Sequence, residues 1–324
     1  MIAPPTPGEL LDGFRMVRKI HSGPQGTLLV AVDTQTQTNV VLKFPDPFAV
    51  EDPDNLERFL REEWTGLKVR HTNVVEVIAQ PPGRRSAIYF VMQALEGATL
   101  DQVVKGMRQG APPESVVDWL RQAARGMLAL HRKGIIHRDI KPENLFLTRS
   151  RQVILLDLGT VRVAGLEPLA PDAVGRRVVG GTPGFMAPEL YQGERGDEGR
   201  DLFALGVTGY HLLTGCLPFG QPESNVMPDF SAWQPILTSR PDAPPVLAAL
   251  LERCLSPDPQ KRPGDMGEFL SWLERPALLE GVKFVPLLQR DPLRFYQAGF
   301  WLFLSTSLIL VLLLLFRCLN NIYY

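Results

Sequence analysis

The sequence predicts an α+β fold in two parts, a small β-rich one and then a larger helical one, followed by one C-terminal transmembrane helix. Three observations predict it. Residues 14–44 run in short β-like stretches parted by turn formers; beyond Gly97 the apolar period becomes helical; and Phe295–Phe316 holds no charged residue over 22 positions. At 324 residues the chain suffices for one large domain or two smaller ones, and 45% apolar with 21% charged residues is ordinary for a globular protein. A formal net charge of -1 gives no field for nucleic acid, so no such partner is expected. Cys216, Cys254 and Cys318 share no close spacing, which argues against disulfides or a zinc site and fits a reducing compartment.

In order along the chain, "FRMVRKI", "TLLVAVD" and "TNVVLKF" read as strands, separated by "HSGPQG" and "TQTQ". "NLERFLREEWTGLKV" has helical spacing, and "VVEVIA" and "SAIYFVMQAL" read as a strand pair around "QPPGRR". After Gly97, "ESVVDWLRQAARGMLALHRKG" is an amphipathic helix closed by glycine. Then come the polar loop "HRDIKPEN", a strand in "QVILLDLG", and helices around 201–214, 245–254 and 265–273.

The N-terminus, "MIAPPTPGELLDGF", lacks the basic start and apolar core of a signal peptide. At the other end, fourteen of the 22 residues from Phe295 to Phe316 are Leu, Ile, Val or Phe. At roughly -0.4 kcal/mol each they favour insertion by about 5–6 kcal/mol. Lys283, Arg290 and Arg294 precede the run and only Arg317 follows it, so the N-terminal part is expected in the cytoplasm, at the cell's inner membrane, with a single pass. The expected span is residues 298–316, with a juxtamembrane linker at 276–297 and a short tail at 317–324.

"HRDIKPEN" resembles the catalytic loop of eukaryotic-type (Hanks-type) Ser/Thr protein kinases, and the other motifs follow in that family's order. The resemblance covers residues 14–275 and implies the bilobal protein-kinase fold, with a small lobe at about 14–95 and a larger one at about 97–275. It is most like bacterial membrane-anchored members. It implies ATP and Mg²⁺ (or Mn²⁺) as cofactors, with Asp139 as catalytic base, Lys141 beside the transferring phosphate, and Asn144 and Asp157 as metal ligands. Lys43, ending "VVLK", resembles the lysine that holds the ATP phosphates; Glu62, preferred over Glu63, resembles its paired glutamate. Gly23 and Gly26 would approach the phosphates, and Leu28, Val41, Gln93, Leu95 and Phe146 would line the adenine pocket, with Met92 as gatekeeper. Glu189, Arg262 and Asp201 resemble structural anchors, and Thr182 a residue touching the catalytic Asp and Lys. The Glu189 segment, "GGTPGFMAPELY", implies a protein substrate, and Lys141 favours Ser/Thr acceptors.

The chain departs from the pattern in four places. His21 replaces the first glycine of the phosphate loop and Pro24 removes an N–H from its tip, which predicts weaker ATP binding. Leu158 replaces the Phe of the DFG element, and Val41 and Phe146 predict a narrow adenine pocket. Arg138 precedes Asp139, yet between Leu158 and Met186 the only hydroxyls are Thr160 and Thr182; Glu167 or Asp172 would supply a permanent charge in place of a loop phosphate. The leading expectation is an active membrane-anchored kinase, with a separately encoded phosphatase as partner. The alternatives are a pseudokinase scaffold, favoured by His21, and a small-molecule kinase.

Overall fold

The computed structural model describes residues 4–23, 26–47, 49–163, 181–193, 197–220 and 227–274. The expected span, linker and tail lie outside the described residues, as do Pro24, Glu167 and Asp172. Among the described residues, no helix is long and apolar enough to cross a membrane.

The β-rich part is a six-stranded antiparallel sheet. It comprises β1 (Leu10–Leu11), β2 (Phe14–Gly23), β3 (Gly26–Asp33), β4 (Asn39–Phe44), β5 (Val77–Ile78) and β6 (Phe90–Gln93), in the order β1-β2-β3-β4-β6-β5. Period-two alternation divides its side chains into two sets. Leu29, Ala31, Val40, Leu42, Phe44 and Val91 join Phe14, Met16 and Tyr89 in a closed core. The opposite face carries the residues paired as Leu28↔Lys43↔Phe90 and Val30↔Val41↔Met92. The core-facing set therefore holds the sheet rigid while the other set faces the candidate site.

Helix α1 (Pro53–Lys68) is started by the Asp52 carboxylate, which accepts from the Asp54 N–H at 3.0 Å, and by Pro53 in its first turn. Its inward face carries Phe59, Glu62, Thr65 and Gly66. Phe59 packs against Phe90 with the rings tilted at 45° and 5.1 Å between centroids, which ties α1 to the site face of the sheet.

The helical part contains β7 (Gly97–Thr99), α2 (Leu100–Val104), α3 (Pro113–His131), β8 (Ile135–Ile136), β9 (Leu145–Thr148), β10 (Val153–Leu155) and β11 (Arg162–Val163). These are followed by α4 (Pro188–Tyr191), α5 (Glu198–Thr214), α6 (Ile236–Ser239), α7 (Pro245–Cys254) and α8 (Met266–Leu273). Nearly every residue of α5 is buried, so it forms the axis of this part's core. A Cβ at Gly206 would stand 2.6 Å from the Cβ of Cys254, so the missing side chain sets the close approach of α5 to α7.

Two strands are shorter than their apolar runs predict. "VVEVIA" contributes only β5, with Val74 making an isolated parallel bridge to Leu155, and "SAIYFVMQAL" contributes only β6. The residues before β6 have other partners: the Ser86 N–H and the Tyr89 hydroxyl both donate to Asp12 Oδ2, at 2.9 and 2.8 Å. Conversely β2 runs past "FRMVRKI" to Gly23, because Gly23 pairs with Gly26 across the hairpin.

Candidate active site

Lys43 on β4 and Glu62 on α1 meet in a buried ion pair, with Nζ donating to both carboxylate oxygens at 2.7 Å. Glu63 points elsewhere, accepting from Arg85 at 2.7 Å, so helix phase separates the two glutamates. Burial pushes the Glu62 carboxyl up to about 6; Lys43 opposes that and the charge of Asp157 adds to it. Between pH 4.5 and about 6 the folded chain thus holds a proton that the unfolded chain has released. The group favours folding most below 4.5, and that contribution fades as pH rises through about 6. A carboxyl-carbon NMR titration of the nucleotide-free, magnesium-free protein should place the Glu62 midpoint near 6 and move it downward in Asp157→Asn. An unmoved midpoint would remove Asp157 as a cause.

The polar loop after β8 gathers around Asp139. Its Oδ2 accepts from Lys141 Nζ at 2.8 Å and from Asn144 Nδ2 at 2.9 Å; its Oδ1 accepts from the Thr182 hydroxyl at 2.6 Å. Lys141 also donates to Thr182 at 2.5 Å. Burial alone would raise the Asp139 carboxyl, but the bonds from Lys141 and Thr182 prevail and hold it below the usual carboxylate range. Asp139 is therefore ionised at neutral pH.

Asp201, in the first turn of α5, fixes this loop from beneath. It accepts from the backbone N–H groups of His137 and Arg138 at 2.8 and 2.9 Å and bonds the ring of His131 at 2.9 Å. Those bonds stabilise the unusual backbone of Arg138, whose φ is 75°. His137 in turn bonds the Leu156 carbonyl at 3.0 Å, beside Asp157. The Thr160 hydroxyl donates to the His137 carbonyl at 3.0 Å. Burial, with Arg200 and Arg162 nearby, lowers the Arg138 guanidinium to about 10, still charged at neutral pH. Its Nε has no hydrogen-bond partner among the described residues.

Donor chemistry at Asn144 and Asp157 fits a magnesium ion. Both amide protons of Asn144 go to Asp139, at its Oδ2 and its carbonyl, which leaves the amide oxygen for a cation. Asp157 Oδ1 accepts from the Gly159 N–H at 3.1 Å, which leaves Oδ2. Oxygen donors of this kind suit a hard cation that keeps its own waters. Lys43, Glu62, Asp157, Gly159 and Thr160 border one cavity of about 170 Å³. That cavity is too small for a whole nucleotide, against the roughly 300–1,000 Å³ of ligand sites, but it places the lysine beside the metal-ligand candidate. A larger hollow of about 600 Å³ opens beside Asn73, Gln122 and Arg125. It contains none of these groups and is not the reaction site.

Gly23 and Gly26 close the β2–β3 hairpin. Gly26 has φ 109°, and a Cβ there would stand 2.1 Å from the Phe44 carbonyl oxygen, so only glycine fits. A Cβ on Gly23 would stand 2.9 Å from His21 Nε2, so the His21 ring lies against the hairpin. Leu28 and Val41 occupy the same sheet face as Lys43. Gln93 pairs with Val40 at the end of β6, half-buried Leu95 follows it, and half-buried Phe146 lies on β9. The Glu189 carboxylate takes both terminal nitrogens of Arg262, at 2.8 and 2.7 Å, away from the cavity.

His131 and the bracing role of Thr160 escape the sequence reading. Their signal is weak: a histidine ending an apolar helix face reads as ordinary core, and Thr160 reads only as a hydroxyl beside the metal-binding element.

The protein kinase domain family matches residues 14–272. Curated relatives include the serine/threonine-protein kinase pkn2 of Myxococcus xanthus, 34% identical over 78% of this chain and 31% of its own length. PknA of Mycobacterium tuberculosis is 30% identical over 82% of this chain and 62% of its own length. The chain therefore spans less than two thirds of the length of either. The crystal structure of the M. tuberculosis PknI kinase domain superposes with a TM-score of 0.63, covering 83% of this chain and 98% of that one at 23% identity, which shows a shared fold. A bilobal architecture, the ordered loop around Asp139 and a domain-long family match together establish that this chain belongs to the eukaryotic-type protein kinase family.

Proposed function

We propose that the chain is a membrane-anchored Ser/Thr protein kinase. The observation that carries this reading is the arrangement at Asp139: an ionised carboxylate with Lys141, Thr182 and Asn144 each within 2.9 Å of it. When bound, magnesium-ATP supplies the phosphoryl group and the metal's positive charge. Lys43, oriented by Glu62, holds the phosphates, Asn144 and Asp157 hold the metal, and Gly23 and Gly26 bring backbone close above. Asp139 Oδ1 orients the acceptor hydroxyl and takes its proton; Lys141 balances charge as transfer proceeds. Leu28, Val41, Gln93, Leu95 and Phe146 bind the adenine. Domain limits of 14–275, a linker, and a span over 298–316 complete the reading, with the catalytic part in the cytoplasm and a separate phosphatase reversing its products.

Thr160 and Thr182 both have partners within the site, which supports activity without a loop phosphate. A carboxylate from Glu167 or Asp172 would then answer the charge on Arg138. The assembled Lys43–Glu62 pair favours transfer over a scaffold that only binds nucleotide.

The test uses the full chain in detergent with γ-labelled ATP, magnesium and casein, followed by phosphoamino-acid analysis. Phosphoserine and phosphothreonine are expected. Label only on tyrosine, or only in free phosphate, would overturn the assignment. Retention in membranes after a carbonate wash tests the anchor, and release would remove it.

A further inference from the structure

The hollow beside α3 takes no part in the phosphoryl chemistry, yet its volume of about 600 Å³ lies within the roughly 300–1,000 Å³ of small-molecule sites. Among the described residues that line it, only Leu273 is apolar. Ligand pockets are mostly apolar, so this one suits an occupant that is itself polar on most sides. Gln122 in its wall is fully engaged. Its Oε1 accepts from Asn73 Nδ2 at 3.2 Å and from the Val153 N–H at 2.8 Å; its Nε2 donates to Asp118 at 2.9 Å and to the Arg151 carbonyl at 3.1 Å. Asn73 is 6% exposed and gives its other amide proton to the Val153 carbonyl at 2.8 Å, which leaves its amide oxygen for an occupant's hydroxyl.

Positive charge dominates this hollow. Arg121 and Arg125 both line it, and their spacing of four puts them on one face of α3. Exposed Arg70 and Arg151 stand within two residues of Thr72 and Gln152, which also line it. Against these four arginines, the described lining residues and their chain neighbours supply two carboxylates, Asp118 and Glu274. Glu274 pairs with Arg125 at 3.1 Å, both side chains about half exposed, and Asp118 with Arg121 at 3.4 Å. Exposed pairs of this kind are weak and yield to a phosphate, which a guanidinium grips through two charged bonds. We propose that the hollow binds a phosphorylated polyol of sugar-phosphate size, its phosphate between Arg121 and Arg125 and its hydroxyls toward Asn73, Thr72 and Gln152. The occupant bridges α3 to the segment around Asn73, whose carbonyl accepts from the Leu155 N–H at 2.9 Å. Leu155 ends β10 two residues before Asp157, so the hollow lies one hydrogen bond from the strand that leads to the metal-ligand candidate.

The inference needs no phosphotransfer, so it stands or falls apart from the kinase reading. The test is calorimetric titration of the full chain in detergent with glucose 6-phosphate, in the absence of nucleotide and magnesium. A dissociation constant below about 1 mM is expected, with inorganic phosphate and glucose each at least about tenfold weaker. Arg121→Gln and Arg125→Gln should each weaken binding by about tenfold or more. Arg132→Gln, which removes an exposed arginine beyond the end of α3, should change it by less than about twofold. His71 gives a second readout, because burial and the charge of Arg125 hold its imidazole below the usual value. Its proton NMR titration, assigned by loss in His71→Gln, should move upward when the ligand offsets that charge. In Arg125→Gln it should start higher and stay there. Equal binding of inorganic phosphate would make the hollow a general anion patch and overturn the proposal. So would affinity indifferent to both arginine variants, a His71 midpoint unmoved by glucose 6-phosphate, or no heat of binding up to about 10 mM. A phosphoserine peptide bound at least about tenfold more tightly would make the hollow a docking site for modified protein and likewise overturn it.

Discussion

Asp139→Asn should lower phosphate transfer by the full chain by about 10²- to 10⁴-fold, the usual worth of a positioned general base. The replacement is nearly isosteric, so the loss should come from chemistry. Three donors converge on the carboxylate, from Lys141, Asn144 and Thr182. An amide offers them one acceptor oxygen in place of two. It can neither take the acceptor's proton nor neutralise Lys141. The turnover number should fall while the KM for ATP holds, because Lys43 and Glu62 are untouched. Thermal unfolding of the variant should remain close to the parent, since Asp201 fixes the loop independently through His137 and Arg138. Steady-state kinetics beside a melting curve decides it. Transfer within twofold of the parent would move the base elsewhere.

Arg262→Ala should be the most destabilising single change, by about 3–5 kcal/mol, because it strands a buried carboxylate. Arg262 is 1% exposed and Glu189 6%. Its guanidinium also donates to the carbonyls of Ser256 and Gly199, each at 3.0 Å, and lies over the Phe203 ring at 5.0 Å. Alanine leaves Glu189 and those carbonyls without donors and opens a void against α5. Arg262→Lys keeps the charge but loses the two-pronged geometry, so it should fall between the two. Urea unfolding followed by tryptophan emission measures all three. A loss below about 1 kcal/mol for alanine would show that water or rearrangement satisfies the site.

Much of the site is legible in the sequence, because its chemistry fixes spacing. Asp139 and Asn144 are five residues apart, and that interval lets the amide reach back to both the carbonyl and the carboxylate of Asp139. Glu62 is separable from Glu63 because successive helix residues differ by about 100° in direction. The sheet is legible through the apolar, valine-rich runs of β3 and β4 and the turn formers that part them. The short strands of the helical part are not: β7, β8 and β11 have two or three residues each, too few to show any period. The truncation of β6 depends on Asp12, more than seventy residues earlier, which binds Ser86 and Tyr89. Likewise Asp201 reads as an anchor by motif, but its third partner, His131, belongs to a helix that only tertiary packing brings near.

The anchoring by Asp201 has a consequence for how the reactive loop behaves over time. Loops that perform chemistry are commonly drawn from the least stable regions of a protein. Here two successive amides are held by a fully buried carboxylate on the most enclosed helix of the domain. Their protons can be released to heavy water only when α5 itself comes away. The conformational entropy of ordering this segment is therefore lost once, as the chain folds, and does not recur with each arriving substrate. Deuterium uptake at His137 and Arg138 would then run at the pace of the whole helical part, making the heart of the reaction loop a gauge of global opening.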